Sequence, residues 1–122
     1  MNNQDFKTLL IKRSKTFSLD IWKLLDSLPS NSFSFNIIAK QLLRSATSIG
    51  ANIIEAQASS SKKDFINFLH YALKSANETK YWLELLSESG KVKNNDLEKI
   101  YKESCELGNI LGSVILKLKG RK

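Results

Sequence analysis

Residues 36–58 read NIIAKQLLRSATSIGANIIEAQA. Within this stretch Ala39, Leu42, Ala46, Ile49, Ile53 and Ala56 recur at spacings of three and four, which places them on one face of an α-helix. Arg44, Ser48, Asn52 and Glu55 follow the same period on the opposite face. A solvated face normally carries long charged side chains. This one carries short ones, beside Ser45, Gly50 and Ala51, and small residues let a second helix come close. Two readings stay open: an ordinary solvated face, or an interface or polar network in which Arg44 meets a carboxylate, Glu55 or Glu78.

The same periodicity extends outward on both sides. Before it, Phe6, Leu10, Arg13, Phe17, Ile21, Leu24 and Leu28 form a stripe, widened by Leu9, Trp22 and Leu25, and predict a helix over about 4–28. After it, Phe65, Phe68, Leu69, Ala72, Ala76, Leu83 and Leu86 predict a helix over 62–89. Leu97, Ile100, Tyr101, Leu107, Leu111, Val114 and Leu118 predict one over 96–118. The first stretch itself predicts a helix over 36–58. Leu28–Ser32 with Pro29, the run Ser59-Ser60-Ser61, and Ser89-Gly90 with the polar residues after it are the interruptions. Ser61 with Asp64, and Asn95 with Glu98, resemble capping boxes, and Gly90 suits a left-handed C-terminal cap.

Four rods of similar length, each with one apolar face and joined by short links, pack as an antiparallel up-down-up-down four-helix bundle. A chain of 122 residues, 42% hydrophobic and 25% charged, has the balance of one globular domain over 1–122. One proline and five glycines argue against a turn-rich β fold. A polar start and the lack of any long apolar run predict a cytoplasmic protein with no membrane partner.

The net charge is +7, and the pI of about 9.6 favours acidic partners, of which nucleic acid is the usual one. In the bundle, the start of the first helix, the corner between the second and third, and the end of the fourth meet at one pole. The expected nucleic-acid-binding set there is Lys7, Lys12, Arg13, Lys15, Lys62, Lys63, Lys117, Lys119, Arg121 and Lys122, opposed by Asp5, Glu55 and Asp64. Dipole complementation explains Lys117 and Lys119 but not the rest. A solvated charged end, or a protein partner, is the competing reading.

Catalysis finds no support in the residues. His70 is the one histidine and Cys105 the one cysteine, so a multi-histidine metal site, a multi-cysteine zinc site and an intrachain disulfide are all excluded within one chain. There is no glycine-rich phosphate loop and no nucleophile elbow. Glu55 and Glu78 read as partners in a salt link, not as a catalytic pair. The expectation is a binding protein without enzyme activity, cofactor or metal.

The run Leu43-Arg44-Ser45-Ala46-Thr47-Ser48-Ile49-Gly50-Ala51-Asn52-Ile53-Ile54-Glu55-Ala56, followed by Lys63-Asp64-Phe65-Ile66-Asn67-Phe68-Leu69, resembles the signature of the four-helix-bundle proteins encoded within rRNA intervening sequences. Ala72, Ser75 and Glu78 extend the resemblance. Gly50 stands where that family usually has proline, Ala56 where it has glycine, and Lys74 where another glycine is common; these departures bear on the corner between the second and third helices. The resemblance implies a homopentameric ring and no established enzyme activity. A related branch comprises accessory proteins of diversity-generating retroelements, basic pentamers that bind a reverse transcriptase and its template RNA. Ile110-Leu111-Gly112-Ser113 and the basic C-terminal stretch resemble that branch. The resemblance therefore implies an adaptor for structured RNA, with a reverse transcriptase as a further partner. The alternative is a structural or protein-interaction bundle of the rRNA intervening-sequence type with no direct nucleic-acid role.

Overall fold

Serine hydroxyls start two of the helices. Ser32 Oγ accepts from the Phe35 amide at 3.2 Å, and Ser61 Oγ from the Asp64 amide at 3.1 Å, each satisfying an amide that the helix leaves without a partner. The computed structural model describes residues 3–29, 32–90, 92 and 95–120. It contains α1 (Asn3–Asp26), α2 (Phe33–Gln57), α3 (Lys62–Glu88) and α4 (Asn95–Leu118), with no strand among the described residues.

The boundaries differ from expectation in instructive ways. α2 begins at Phe33, three residues ahead of the predicted Asn36. Phe33 is 83% exposed, so the first turn adds nothing to the apolar stripe and periodicity does not see it; the Ser32 cap does the work. α1 stops at Asp26 and not at Leu28. There the Ser27 hydroxyl takes the Leu24 carbonyl at 2.6 Å, and the Leu28 amide reaches back three residues to Leu25. The box at Ser61 forms by half: the Asp64 carboxylate accepts from the Ser60 hydroxyl at 3.2 Å. Asn95 is the first residue of α4 and not its cap, and Asp96 and Glu98 place negative charge in that helix's first turn. Gly90 holds φ at +73°, the left-handed region that ends α3. Gly50 lies inside an unbroken α2, so the corner falls at 58–61 despite the departures there.

Each helix packs against its neighbours in chain order, and α4 closes back on α1. Leu42, Ala46, Ile49, Ile53 and Ala56 of α2 are all buried, with Leu10, Phe17, Ile21 and Leu24 of α1. α3 adds Leu69, Ala72, Ala76, Leu83 and Leu86, and α4 adds Leu97, Ile100, Leu107, Leu111 and Ile115. Val92, between α3 and α4, plugs the end of the core. Phe6, Leu9 and Trp22 are exposed, so the α1 stripe is narrower than predicted.

Four hydroxyl residues share this interior: Ser14, Ser45, Thr79 and Ser104. Each bonds a carbonyl of its own helix: Ser14 to Ile11 at 3.0 Å, Ser45 to Leu42 at 3.2 Å, Thr79 to Ser75 at 2.7 Å and Ser104 to Tyr101 at 2.6 Å. Burial therefore leaves no buried side-chain polar atom unpaired among the described residues. Thr79 Oγ1 also meets Ser45 Oγ at 2.9 Å, a buried link between α3 and α2. The seam between α1 and α2 is close because a side chain is absent: a Cβ on Gly50 would stand 3.3 Å from Ser14 Oγ, whereas one on Gly108 would make an ordinary contact at 3.9 Å from the Ala76 Cβ.

Candidate nucleic-acid interface

The basic pole forms, but more narrowly than the sequence suggests. Lys7 of α1 crosses to α3, with its Nζ 5.2 Å from the centre of the Phe65 ring. Lys62 and Lys63 open α3. Lys119 follows the end of α4, and its Nζ lies 3.0 Å from His70 Nε2, within hydrogen-bond distance. Lys62, Lys63, Ile66, Asn67, His70 and Lys119 line a shallow groove of about 330 Å³. Lys117 lies exposed in the last turn of α4. Three helices thus bring five lysines to one end of the bundle. None of them is in an ion pair among the described residues.

Lys12, Arg13 and Lys15 are not at that pole. They sit near the middle of α1, with Lys15 about 12 Å of helix rise beyond Lys7. Arg13 is also engaged. Its Nε donates to Glu103 Oε2 at 2.9 Å and its Nη2 to Glu103 Oε1 at 2.6 Å, with Glu106 at 3.4 Å. The hydrogen bond to Glu103 holds the guanidinium above its ordinary pKa, against the opposing effect of burial. Both side chains are about a third exposed, so this fork contributes only on the order of 1 kcal/mol. Counting charge by helix end puts Arg13 among the nucleic-acid-binding cations, because it lies in the first half of α1. Its partners are ninety residues away in sequence, and no local pattern shows them. Arg121 and Lys122 lie outside the described residues.

The polar face of α2 resolves into a link with α3. Of the two candidate carboxylates, Glu78 pairs with Arg44 Nη2. The Arg44 Nε donates to Gln41 Oε1 at 2.9 Å, and Trp82 Nε1 donates to Glu78 Oε2 at 2.9 Å. Gln41 and Trp82 were not anticipated, although Gln41–Arg44 and Glu78–Trp82 are three and four residues apart, the separations that meet on a helix. Ser48 and Asn52 close on their own helix, donating to the Arg44 carbonyl at 2.8 Å and the Ser48 carbonyl at 2.9 Å. Glu55 is exposed, about 16 Å further along α2 than Arg44, and is not part of this link.

At the other end, Tyr101 of α4 donates to Glu84 Oε2 of α3 at 2.7 Å. That bond, helped by desolvation, pushes the phenol up to about 12 from its ordinary 10.0. A raised pKa means that the neutral phenol is favoured in the folded state, so its contribution to stability is fully present below pH 10 and is lost as pH rises through about 12. An alkaline titration followed by phenolate absorbance is expected to show one phenol ionising near pH 12, missing from Tyr101→Phe.

No helix among the described residues is long and apolar enough to cross a membrane. No curated protein matches the chain. Among solved structures, the chain is similar to the crystal structure of a protein of unknown function from the S23 ribosomal protein family of Bacteroides thetaiotaomicron, with a TM-score of 0.79 and 40% sequence identity. The match covers 89% of this chain and 96% of that one. The family model described as 23S rRNA-intervening sequence protein matches residues 7–113. That span holds α2 and α3 whole, including the Arg44–Glu78 link and the opening lysines of α3, and with these the chain belongs to the 23S rRNA-intervening sequence protein family.

Proposed function

We propose that the protein is a basic adaptor without enzyme activity that binds structured RNA at the lysine-rich pole and assembles as a homo-oligomer. The observation that carries this reading is the convergence of Lys7, Lys62, Lys63, Lys117 and Lys119 from three helices on one end, unopposed by ion pairs among the described residues. Ammonium groups held this way exchange counterions for phosphates, and counterion release drives association without any base contact. Lys12 and Lys15, on the exposed flank of α1, extend the positive surface away from the pole.

Self-association is favoured by apolar residues that the monomer leaves open. Leu19 and Trp22 are exposed on α1, and Tyr81 and Leu85 on α3, the helix diagonal to it. Patches on opposite sides of one subunit suit head-to-tail contacts, which close into a ring when the rotation allows. A pentamer is the ring that the family resemblance implies. A reverse transcriptase is the protein partner that the retroelement branch implies.

The test is fluorescence anisotropy with a labelled RNA hairpin across a salt series. Tight binding at low salt is expected, falling linearly on a log–log plot. Neutralising Lys62, Lys63 and Lys119 to Gln is expected to lower the slope by about 3, roughly one per phosphate contact. Absence of binding at low salt, or an unchanged slope in the triple variant, overturns the reading.

A further inference from the structure

We infer that the outer face of the first half of α3 is a track for single-stranded RNA, with one base stacked on Tyr71. The inference rests on the RNA-binding reading above and specifies which part of a structured RNA the protein takes, its unpaired segment. Lys63, Asn67, His70, Tyr71 and Lys74 project from α3 within an arc of about 100° at the helical 100° per residue, and Lys63 to Lys74 spans about 16 Å of rise. Lys62 and Lys119 flank this strip through the groove they share with His70.

Tyr71 is 50% exposed, about 12 Å of helix rise along α3 from Lys63 and next in sequence to His70 of the groove. Phe68 meets it in a T-shaped contact, with ring centres 6.0 Å apart and planes at 79°, so the ring has a fixed orientation while half its surface stays open. An exposed ring flanked along its helix by Lys63 and Lys74, neither in an ion pair among the described residues, is what an unpaired base needs: a π surface for stacking and ammonium groups for the phosphates on either side. Tyr81 is equally open but has Glu78 and Glu84 three residues to either side, where a phosphate would be repelled. A duplex keeps its bases stacked on one another and offers none to Tyr71, so the track discriminates strand form without reading sequence.

The experiment compares a labelled single-stranded oligoadenylate with the same strand annealed to oligouridylate, using the full chain at low salt. The single strand is expected to bind more tightly. Tyr71→Ala is expected to weaken it about tenfold, the loss of one stacked base, with little change for the duplex. Tyr71→Phe keeps the ring and is expected to retain the affinity. Equal binding of both probes, an unaffected Tyr71→Ala, or a Tyr71→Phe as weak as the alanine variant overturns the inference. A changed mass of Tyr71→Ala in light scattering overturns it too, since the ring is then a subunit contact. If neither probe binds the parent protein, the RNA-binding reading itself falls.

Discussion

Replacing Phe17 with alanine is expected to remove about 3–5 kcal/mol of stability, a large share of the roughly 5–15 kcal/mol that holds a domain of this kind. Phe17 is the largest fully buried side chain, 1% exposed, on the face of α1 that meets the rest of the core. Two costs add. The ring's apolar surface loses its shelter from water, and the space it filled is only partly closed by relaxation of rods as stiff as α1 and α4. Phe17 also lies beside the groove between α1 and α4, lined by Asp20, Lys23, Lys99 and Glu103. A void there opens toward charged side chains, which cannot fold inward to fill it. Thermal melts at several protein concentrations measure the effect and separate it from any change in subunit association. A loss below about 1 kcal/mol would mean that α1 does not depend on this ring, contrary to the packing described.

The second large effect has the opposite cause. Ala76→Leu is expected to destabilise by about 1–3 kcal/mol through overpacking. Ala76 is fully buried, and it faces Gly108 across the seam between α3 and α4. A leucine there has no room unless the two helices separate, which would also pull on the Tyr101–Glu84 bond about two turns away. Gly108→Ala is the matched control. Its Cβ would make an ordinary contact at 3.9 Å from Ala76. It is therefore expected to be neutral or to stabilise by up to about 1 kcal/mol through helix propensity. Urea unfolding, compared by midpoint at constant slope, reads both variants. A neutral Ala76→Leu would show that the seam is loose.

The four helices were legible because their information is local. The stripe from Leu42 to Ala56 and its counterpart from Leu69 to Leu86 place every buried apolar residue of α2 and α3. What was missed is either non-local or polar. Ser14, Ser45, Thr79 and Ser104 are buried because the helix itself supplies a carbonyl to each hydroxyl, a satisfaction that hydrophobic periodicity does not register. The candidate interface was legible at Lys62, Lys63 and Lys119, whose convergence follows from topology alone. It was illegible at Arg13, because charge counted by helix end does not show whether an acid on another helix has already taken the cation. Arg44 lay between these cases. Glu55 and Glu78 were both available on paper, and the antiparallel register of α2 and α3 chose Glu78.

The seam between α1 and α4 is the thinnest of the four, bridged by the Arg13 fork and bordered by an open groove of about 570 Å³. Mechanically, then, the molecule is a three-helix slab with a strut laid along one edge. Its cheapest breathing mode is the swing of that strut, which would bare Phe17, Leu24 and Ile100 while the slab, and with it most of the cationic groove, stays assembled.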